Sequence, residues 1–298
     1  MLGNGTVGAR DVWMRCVRDR FHGLKRTLKE GLSMKKISAC LWLVLLPASA
    51  WAQSTIPPQD PADAAAPSRL RVGVGVVAAD NAYVGRDNQV TPFPLIQYEG
   101  ERFFFRGIMG GVHLVQSGEL TLDAIVTTGF NTIDAKDFSA SALARRGIDR
   151  NDLQDRERSI NAGVAATWKS AAGQLQLQAK TDISGTHEGQ EYSLRYGYAL
   201  RMSGFTITPT IGATFLSRNV ADYYYGIHPA EVARGVPNYQ PGGSLIPEFG
   251  VSLVRPIGAS WALMVNAQYR ALPDKISNSP LVDGDRATSV FVAISRAL

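Results

Sequence analysis

Residues 191–215 read EYSLRYGYALRMSGFTITPTIGATF, and apolar and polar side chains alternate strictly on both sides of Ser203-Gly204. The apolar positions are Tyr192, Leu194, Tyr196, Tyr198, Leu200 and Met202 before this pair, and Phe205, Ile207, Pro209, Ile211, Ala213 and Phe215 after it. Period-two alternation predicts two β-strands with one apolar face each, and Ser-Gly suits a tight turn. Each strand would hold about ten to twelve residues, the length that a tilted strand needs to cross a bilayer.

The rest of the chain repeats this alternation from residue 70 to the C-terminus. In the predicted hairpin 160–183, one face of the second strand carries Gln174, Gln176, Gln178 and Lys180. A ladder of glutamines fits a wet interior better than the core of a soluble sandwich. The sequence therefore predicts an all-β protein, a transmembrane antiparallel up-and-down β-barrel.

The number of strands is predicted by requiring that it be even. Eleven segments have strand character, whereas single-chain bacterial barrels have an even number of strands. Splitting residues 102–115 at their glycines gives twelve strands, which we prefer, and dropping the first strand would give ten. With the short turns on the periplasmic side, loops 131–158, 218–243 and 273–285 lie outside the cell.

The N-terminal part predicts export. Residues 34–52 combine Lys35-Lys36, the apolar run 37–46 and the small-residue pattern Ala50-Trp51-Ala52, as in a secretory signal peptide. Residues 1–33 then look like a misassigned leader, with translation starting at either Met1 or Met34. Residues 53–69 are rich in proline and predict a flexible periplasmic segment before the barrel at 70–298. We expect the protein in the outer membrane.

Composition excludes several classes of function. Residues 1–52 hold nine of the 31 basic residues, three of the 26 acidic residues and both cysteines, so the remaining chain is nearly neutral. The basic overall charge is therefore no argument for nucleic-acid binding, and disulfides are not expected. The histidines beyond residue 52 are His113, His187 and His228, without metal-ligand spacing. We predict no cofactor, no metal and no enzymatic activity.

Two groups of residues are candidate sites. The first consists of charges on the polar strand faces, which either line a pore or pair with one another and fill the lumen: Lys180, Glu191, Arg195, Arg201 and Arg270, with Asp123 and Glu248 beside them. The second lies in loop 218–243 and is either a contact surface, since tyrosine offers a large apolar face with a polar tip, or a lid over the barrel mouth. Its members are Tyr223, Tyr224, Tyr225, Gly226, Gly235 and Tyr239.

Several short motifs, taken together, resemble the MipA/OmpV family of outer-membrane proteins. They are Asp222-Tyr223-Tyr224-Tyr225-Gly226-Ile227, Gly235-Val236-Pro237, Pro92-Phe93-Pro94-Leu95-Ile96, Arg102-Phe103-Phe104-Phe105-Arg106-Gly107 and Ser279-Pro280-Leu281-Val282. The resemblance covers roughly residues 70–298.

The resemblance implies a barrel embedded in outer-membrane lipid that acts as a non-enzymatic scaffold for murein-synthesising and murein-degrading enzymes. The implied partners are a lytic transglycosylase and a penicillin-binding protein. Two alternatives stay open: a narrow channel for small solutes or antibiotics, and a lipid-modifying barrel enzyme.

Overall fold

A computed structural model describes residues 69–298 except 81, 87–88 and 130–131. The predicted leader, signal peptide and nearly all of the predicted flexible segment lie outside the described residues. No helix among the described residues is long and apolar enough to cross a membrane.

The described chain is mostly antiparallel sheet. The strands are β1 Leu70–Asp80, β2 Gln89–Glu99, β3 Phe103–Arg106, β4 Met109–Gln116, β5 Leu120–Thr128, β6 Ile160–Ser170, β7 Gly173–Asp182, β8 Gln190–Gly197, β9 Leu200–Met202, β10 Phe205–Leu216, β11 Ser244–Ile257, β12 Trp261–Ala271 and β13 Arg286–Ala297.

Apart from β8 and β9, strands that follow one another in the chain pair antiparallel, and β1 pairs with β13, so the sheet closes into a barrel. Both β8 and β9 pair with β10 and are separated only by residues 198–199, so together they form one strand of the wall. The barrel therefore has twelve strands, as predicted. The split in residues 102–115 falls at Gly107, whose φ of 67° makes the turn between β3 and β4.

The wall has the polarity of a transmembrane barrel. The side chains that point outward are apolar and exposed on every part of the wall; examples are Val76, Leu120, Val126, Leu177, Leu194, Ile211, Val251 and Val292. Buried side chains on the opposite faces are often polar, including Gln176, Ser193, Thr208, Thr214, Ser252 and Ser295. This alternation places hydrocarbon outside and a polar lumen inside.

The two ends of the barrel differ in their connections. One end carries short turns at 100–102, 117–119, 171–172, 203–204 and 258–260, together with both ends of the described chain. The other end carries the long connections 129–159, 217–243 and 272–285, as predicted, and the short helices within them. These helices are Ala140–Ala144, Arg218–Tyr225, Pro229–Val232 and Asp274–Ser277, with 3-10 turns at Ala135–Asp137 and Arg150–Asp152.

Candidate functional site

The long connections fold together into one packed body, which we call the loop cap. It consists of residues 82–86, 132–159, 217–243 and 272–285. Its buried apolar side chains include Tyr83, Val84, Ile133, Phe138, Leu143, Ile148, Val220, Ile227, Ile276 and Leu281. They form one cluster with Val77, Ile246, Phe291 and Ala293 of the strands. The cap therefore packs onto the inner wall and fills the long-loop end of the lumen.

A buried ion pair joins two loops of the cap. The Arg156 guanidinium donates to both carboxylate oxygens of Glu231, and neither side chain is exposed to solvent. Arg156 also donates to the Gly226 carbonyl over 2.9 Å. Glu231 accepts from the backbone N–H groups of Gln154 and His228, each over 2.7 Å. Burial raises the pKa of Glu231, but Arg156 and these donors lower it further, so its pKa lies below the usual value.

The tyrosine segment is helical because its apolar residues recur on one face. Val220, Ala221, Tyr224 and Tyr225 are the buried residues of the Arg218–Tyr225 helix. Gly226 ends the helix with its N–H on the Asp222 carbonyl, and a Cβ at this position would lie 2.4 Å from that oxygen. A glycine is therefore required here by the close approach of the backbone.

The structure places the predicted contact residues in different surroundings. Tyr224 and Tyr225 are buried, and the Tyr225 ring stacks on Tyr83 with centroids 5.6 Å apart. The Tyr223 hydroxyl accepts from the Glu157 N–H over 2.9 Å. The Tyr239 hydroxyl donates to the Lys275 carbonyl over 3.0 Å. Most of this segment is packed over the barrel mouth, in the manner of the lid alternative.

Gly235 is the exposed member of the predicted contact set, with a φ of 104°. A contact surface stays a prediction for the outer side of this loop, around Gly235 and the partly exposed Tyr239.

Two histidines lie in or against the cap. His187, in the β7–β8 connection, accepts the Gly189 N–H at Nδ1 over 3.0 Å. Its Nε2 is buried without a hydrogen-bond partner among the described residues, and its ring lies against Tyr223 and Tyr224. His228 Nε2 donates to the Tyr223 carbonyl over 3.0 Å. Burial lowers the pKa of both histidines, because it disfavours the charged ring.

Below the cap, most of the predicted lumen charges form ion pairs with charges on other strands. Lys180 lies 3.0 Å from Glu191. Arg195 and Arg270 both reach Glu248, over 3.0 and 3.3 Å. Arg201 lies on β9 at the short-turn end and is exposed. Four of the five predicted charges are thus in ion pairs within the lumen.

A second lumen network was not predicted from the sequence. His113 lies between two carboxylates, with Nδ1 2.6 Å from Asp123 and Nε2 3.1 Å from Glu99. Glu99 in turn accepts from Arg106 over 2.7 and 3.0 Å. The sequence does contain a signal for this network, because His113 and Asp123 are directly opposite on β4 and β5. The bulge after His113 shifts the register of β4, and this hides the alternation of inward and outward residues in the sequence.

A cavity of about 310 Å³ lies in the lumen toward the short-turn end. Its lining includes Lys169, Gln176, Arg195, Arg201, Thr208 and Glu248. The lining also includes apolar side chains such as Ile211 and Val254, and its basic groups outnumber its acidic ones, so the cavity is mixed in polarity and carries a surplus of positive charge. Among the described residues, no cluster of His, Cys, Asp and Glu has the arrangement of a metal site.

Several known proteins are similar to this chain. The MltA-interacting protein of Escherichia coli (strain K12) is 29% identical over 219 residues, which cover 73% of this chain and 86% of that protein. The putative outer membrane protein YiaT of the same strain is 28% identical over 232 residues, covering 76% and 90%. A solved outer membrane channel from Pseudomonas putida F1 has 10% identity and a TM-score of 0.41, covering 80% of this chain and all of that one.

The relatives and the transmembrane wall place the protein in the outer membrane. The family model described as "MltA-interacting protein MipA" matches residues 72–298, which include all the strands except the first two residues of β1. The chain belongs to the family of MltA-interacting protein MipA.

Proposed function

We propose that the protein is a non-enzymatic scaffold of the outer membrane that holds murein-degrading and murein-synthesising enzymes at its periplasmic end. The observation that carries the proposal is the loop cap. An open porin needs a continuous aqueous path, whereas here an apolar cluster and a solvent-excluded ion pair fill one end of the lumen. A barrel closed in this way is suited to anchoring and presenting a surface rather than to conducting.

The short-turn end is the surface available to periplasmic partners. Its turns are exposed, and the Arg69–Glu101 pair there has side chains that are 68% and 84% exposed. A relative is named for its interaction with MltA. We propose a lytic transglycosylase and a penicillin-binding protein as the partners, and membrane lipid around the wall.

The surroundings of the histidines support a function without catalysis. A serine hydrolase needs a serine hydroxyl within hydrogen-bond reach of a histidine. Among the described residues, the hydrogen-bond partners of His113, His187 and His228 are carboxylates and backbone groups. A lipid-modifying enzyme would lose activity when one of these histidines is changed to alanine.

The test is capture of partners from envelopes solubilised in mild detergent, with the full chain as bait. The first variants change the exposed short turns, for example Glu119→Ala and Arg69→Ala with Glu101→Ala. Matched controls change exposed cap residues, Val232→Ala and Arg234→Ala. The scaffold proposal expects enrichment of murein enzymes, reduced by the turn variants and unchanged by the cap variants. Equal recovery on an unrelated barrel would contradict it.

The positively charged lumen cavity favours a second candidate, a narrow channel for small solutes or antibiotics. Its lining of Gln176, Arg195 and Thr208 could contact a hydrated solute that enters from the short-turn end. A channel would require the cap to open. It would show as single-channel conductance whose selectivity changes when Arg195 is replaced by Gln.

A further inference from the structure

Arg71, on the inner face of β1, is a buried arginine without a carboxylate partner among the described residues. It is 4% exposed, and its guanidinium makes one hydrogen bond in the described chain, from Nη2 to the neutral Ser295 Oγ over 3.4 Å. The other buried arginines of the described chain each pair with a carboxylate: Arg86 with Asp137, Arg156 with Glu231 and Arg270 with Glu248. A buried charge is costly unless it is paired, so Arg71 lacks an anion that the others have.

Gln97 lies directly opposite Arg71 on β2, and both side chains are on the inner face of the wall. Facing residues of antiparallel strands are about 5.5 Å apart at Cα, so one small ligand can reach both side chains. Gln97 is 6% exposed, and its Oε1 is buried without a hydrogen-bond partner. Arg106, opposite Gln97 on β3, donates to Glu99 instead. The pair thus presents a guanidinium and an amide that each need a further partner.

This pair of side chains lies near the short-turn end of the lumen. Arg71 is the second residue of β1, and Gln97 is three residues before the turn 100–102. The cap cluster packs against the other half of β1, at Val77 and Ala79. Arg71 Nη1 and Gln97 Nε2 make no hydrogen bond among the described residues and are not enclosed. A ligand that enters from the short-turn end therefore reaches the pair without opening the cap.

We propose that Arg71 and Gln97 bind the carboxyl terminus of a short peptide at the short-turn mouth of the lumen. The planar guanidinium matches a carboxylate, and the N–H of the terminal residue, close to that carboxylate, can donate to Gln97. A ligand with both an acceptor and a donor satisfies the amide in either orientation of its oxygen and nitrogen. An ionised phosphate offers acceptors alone and would leave Oε1 without a donor. This site is independent of the scaffold proposal, and neither residue lines the lumen cavity.

The test titrates the refolded full chain in detergent with N-trifluoroacetyl-Ala-Ala and follows binding by fluorine NMR line broadening. Two further probes each lack one element of the ligand: the carboxamide of the same dipeptide has no carboxylate, and trifluoropropionate has no N–H. The dipeptide is used in its L and D forms, because proteins end in L residues and bacterial cell-wall peptides in D-alanine. A preference for either form supports the proposal and identifies the source of the peptide.

Arg71→Gln removes the charge, and Gln97→Glu places a carboxylate opposite Arg71 that should occupy it. Each should weaken binding of the dipeptide about tenfold or more, and the carboxamide should bind the wild type more weakly by a similar factor. Arg255→Gln is the matched control, since Arg255 is an exposed arginine near the same end of β11, and it should change binding by less than about twofold. Should Arg71→Gln fail to fold, as judged by heat-modifiable gel mobility, Gln97→Glu carries the test. Equal binding of dipeptide and carboxamide would overturn the proposal, as would wild-type affinity in folded Gln97→Glu.

Discussion

The loop cap and the lower lumen each hold an arginine paired with a glutamate, but the two pairs contribute differently to stability. One joins loops, and the other lies between strands of the sheet. Arg156 and Glu231 lie on loops that are otherwise joined by side-chain packing and by hydrogen bonds of Tyr223 and Tyr224 with Glu157, and both are fully excluded from solvent. Arg195 and Glu248 lie on β8 and β11, which the sheet ladders already hold, and Glu248 has further partners in Arg270 and Thr214. We therefore expect the cap pair to be needed for the folded structure of the cap. The lumen pair should mainly set the charge inside the barrel.

The largest effect is expected from breaking the cap pair on one side. Glu231→Gln leaves Arg156 buried without its carboxylate, which should destabilise the cap by about 3–5 kcal/mol. Hydrogen exchange of residues 132–159 and 217–243 should accelerate strongly, while the wall strands stay protected. The double variant Arg156→Met with Glu231→Leu is the control, because removing both charges should restore much of the protection. Unchanged exchange in Glu231→Gln would contradict the assigned role.

A smaller effect is expected from the apolar part of the cap. Leu143 is fully buried, so Leu143→Ala should cost about 3 kcal/mol through lost burial and the cavity left behind. Limited proteolysis should then cleave within residues 132–159 faster than in the wild type. Val232→Ala on the cap surface is the matched control, and it should leave the cleavage rate nearly unchanged.

The lumen pair should matter less for stability. Glu248→Gln removes the common partner of Arg195 and Arg270, and we expect a loss of about 1.5 kcal/mol in the urea unfolding of the refolded barrel. Exchange in the cap should not change. A cap that opens in this variant would show that the lumen and the cap are coupled, contrary to the comparison above.

The smallest effect is a dependence of the cap on pH. Burial holds the pKa of His187 below that of the unfolded chain, despite the opposing charges of Asp182 and Glu191. The unfolded state therefore binds a proton more readily, so cap stability is complete above about pH 6.5 and decreases as the pH falls toward the folded pKa. Protonation would also remove the acceptor for the Gly189 N–H.

The corresponding measurement is the proteolysis rate of the cap between pH 7.5 and 5. We expect a rise on acidification that His187→Gln reduces. His228, with its pKa also lowered, contributes in the same direction, so His228→Gln serves as the companion variant. A cap that becomes more resistant at low pH would contradict this sign.

The wall could be predicted from the sequence because each strand carries its own period-two pattern. This includes the split at the glycines of residues 102–115, which falls at Gly107. Whether the lumen charges line a pore or pair with one another stayed open in the sequence, and the register of β7 and β8 is what places Lys180 opposite Glu191. The cap could not be predicted in the same way. Residues 131–158 looked like a charged loop, yet Ile133, Leu143 and Ile148 within it are buried.

Nothing periodic marks the buried residues of the cap, because their contacts are set by other loops far along the chain. Arg156 and Glu231 are 75 positions apart, and no local rule links them.

The most direct test of the closed barrel is the conductance of single molecules in planar bilayers. The wild-type barrel should be silent, because the cap fills the lumen, while Glu231→Gln should show flickering conductance as the cap loosens. The Arg156→Met with Glu231→Leu variant should return to the silent state. Steady conductance by the wild type, with the same amplitude as Glu231→Gln, would contradict the account and support the channel instead.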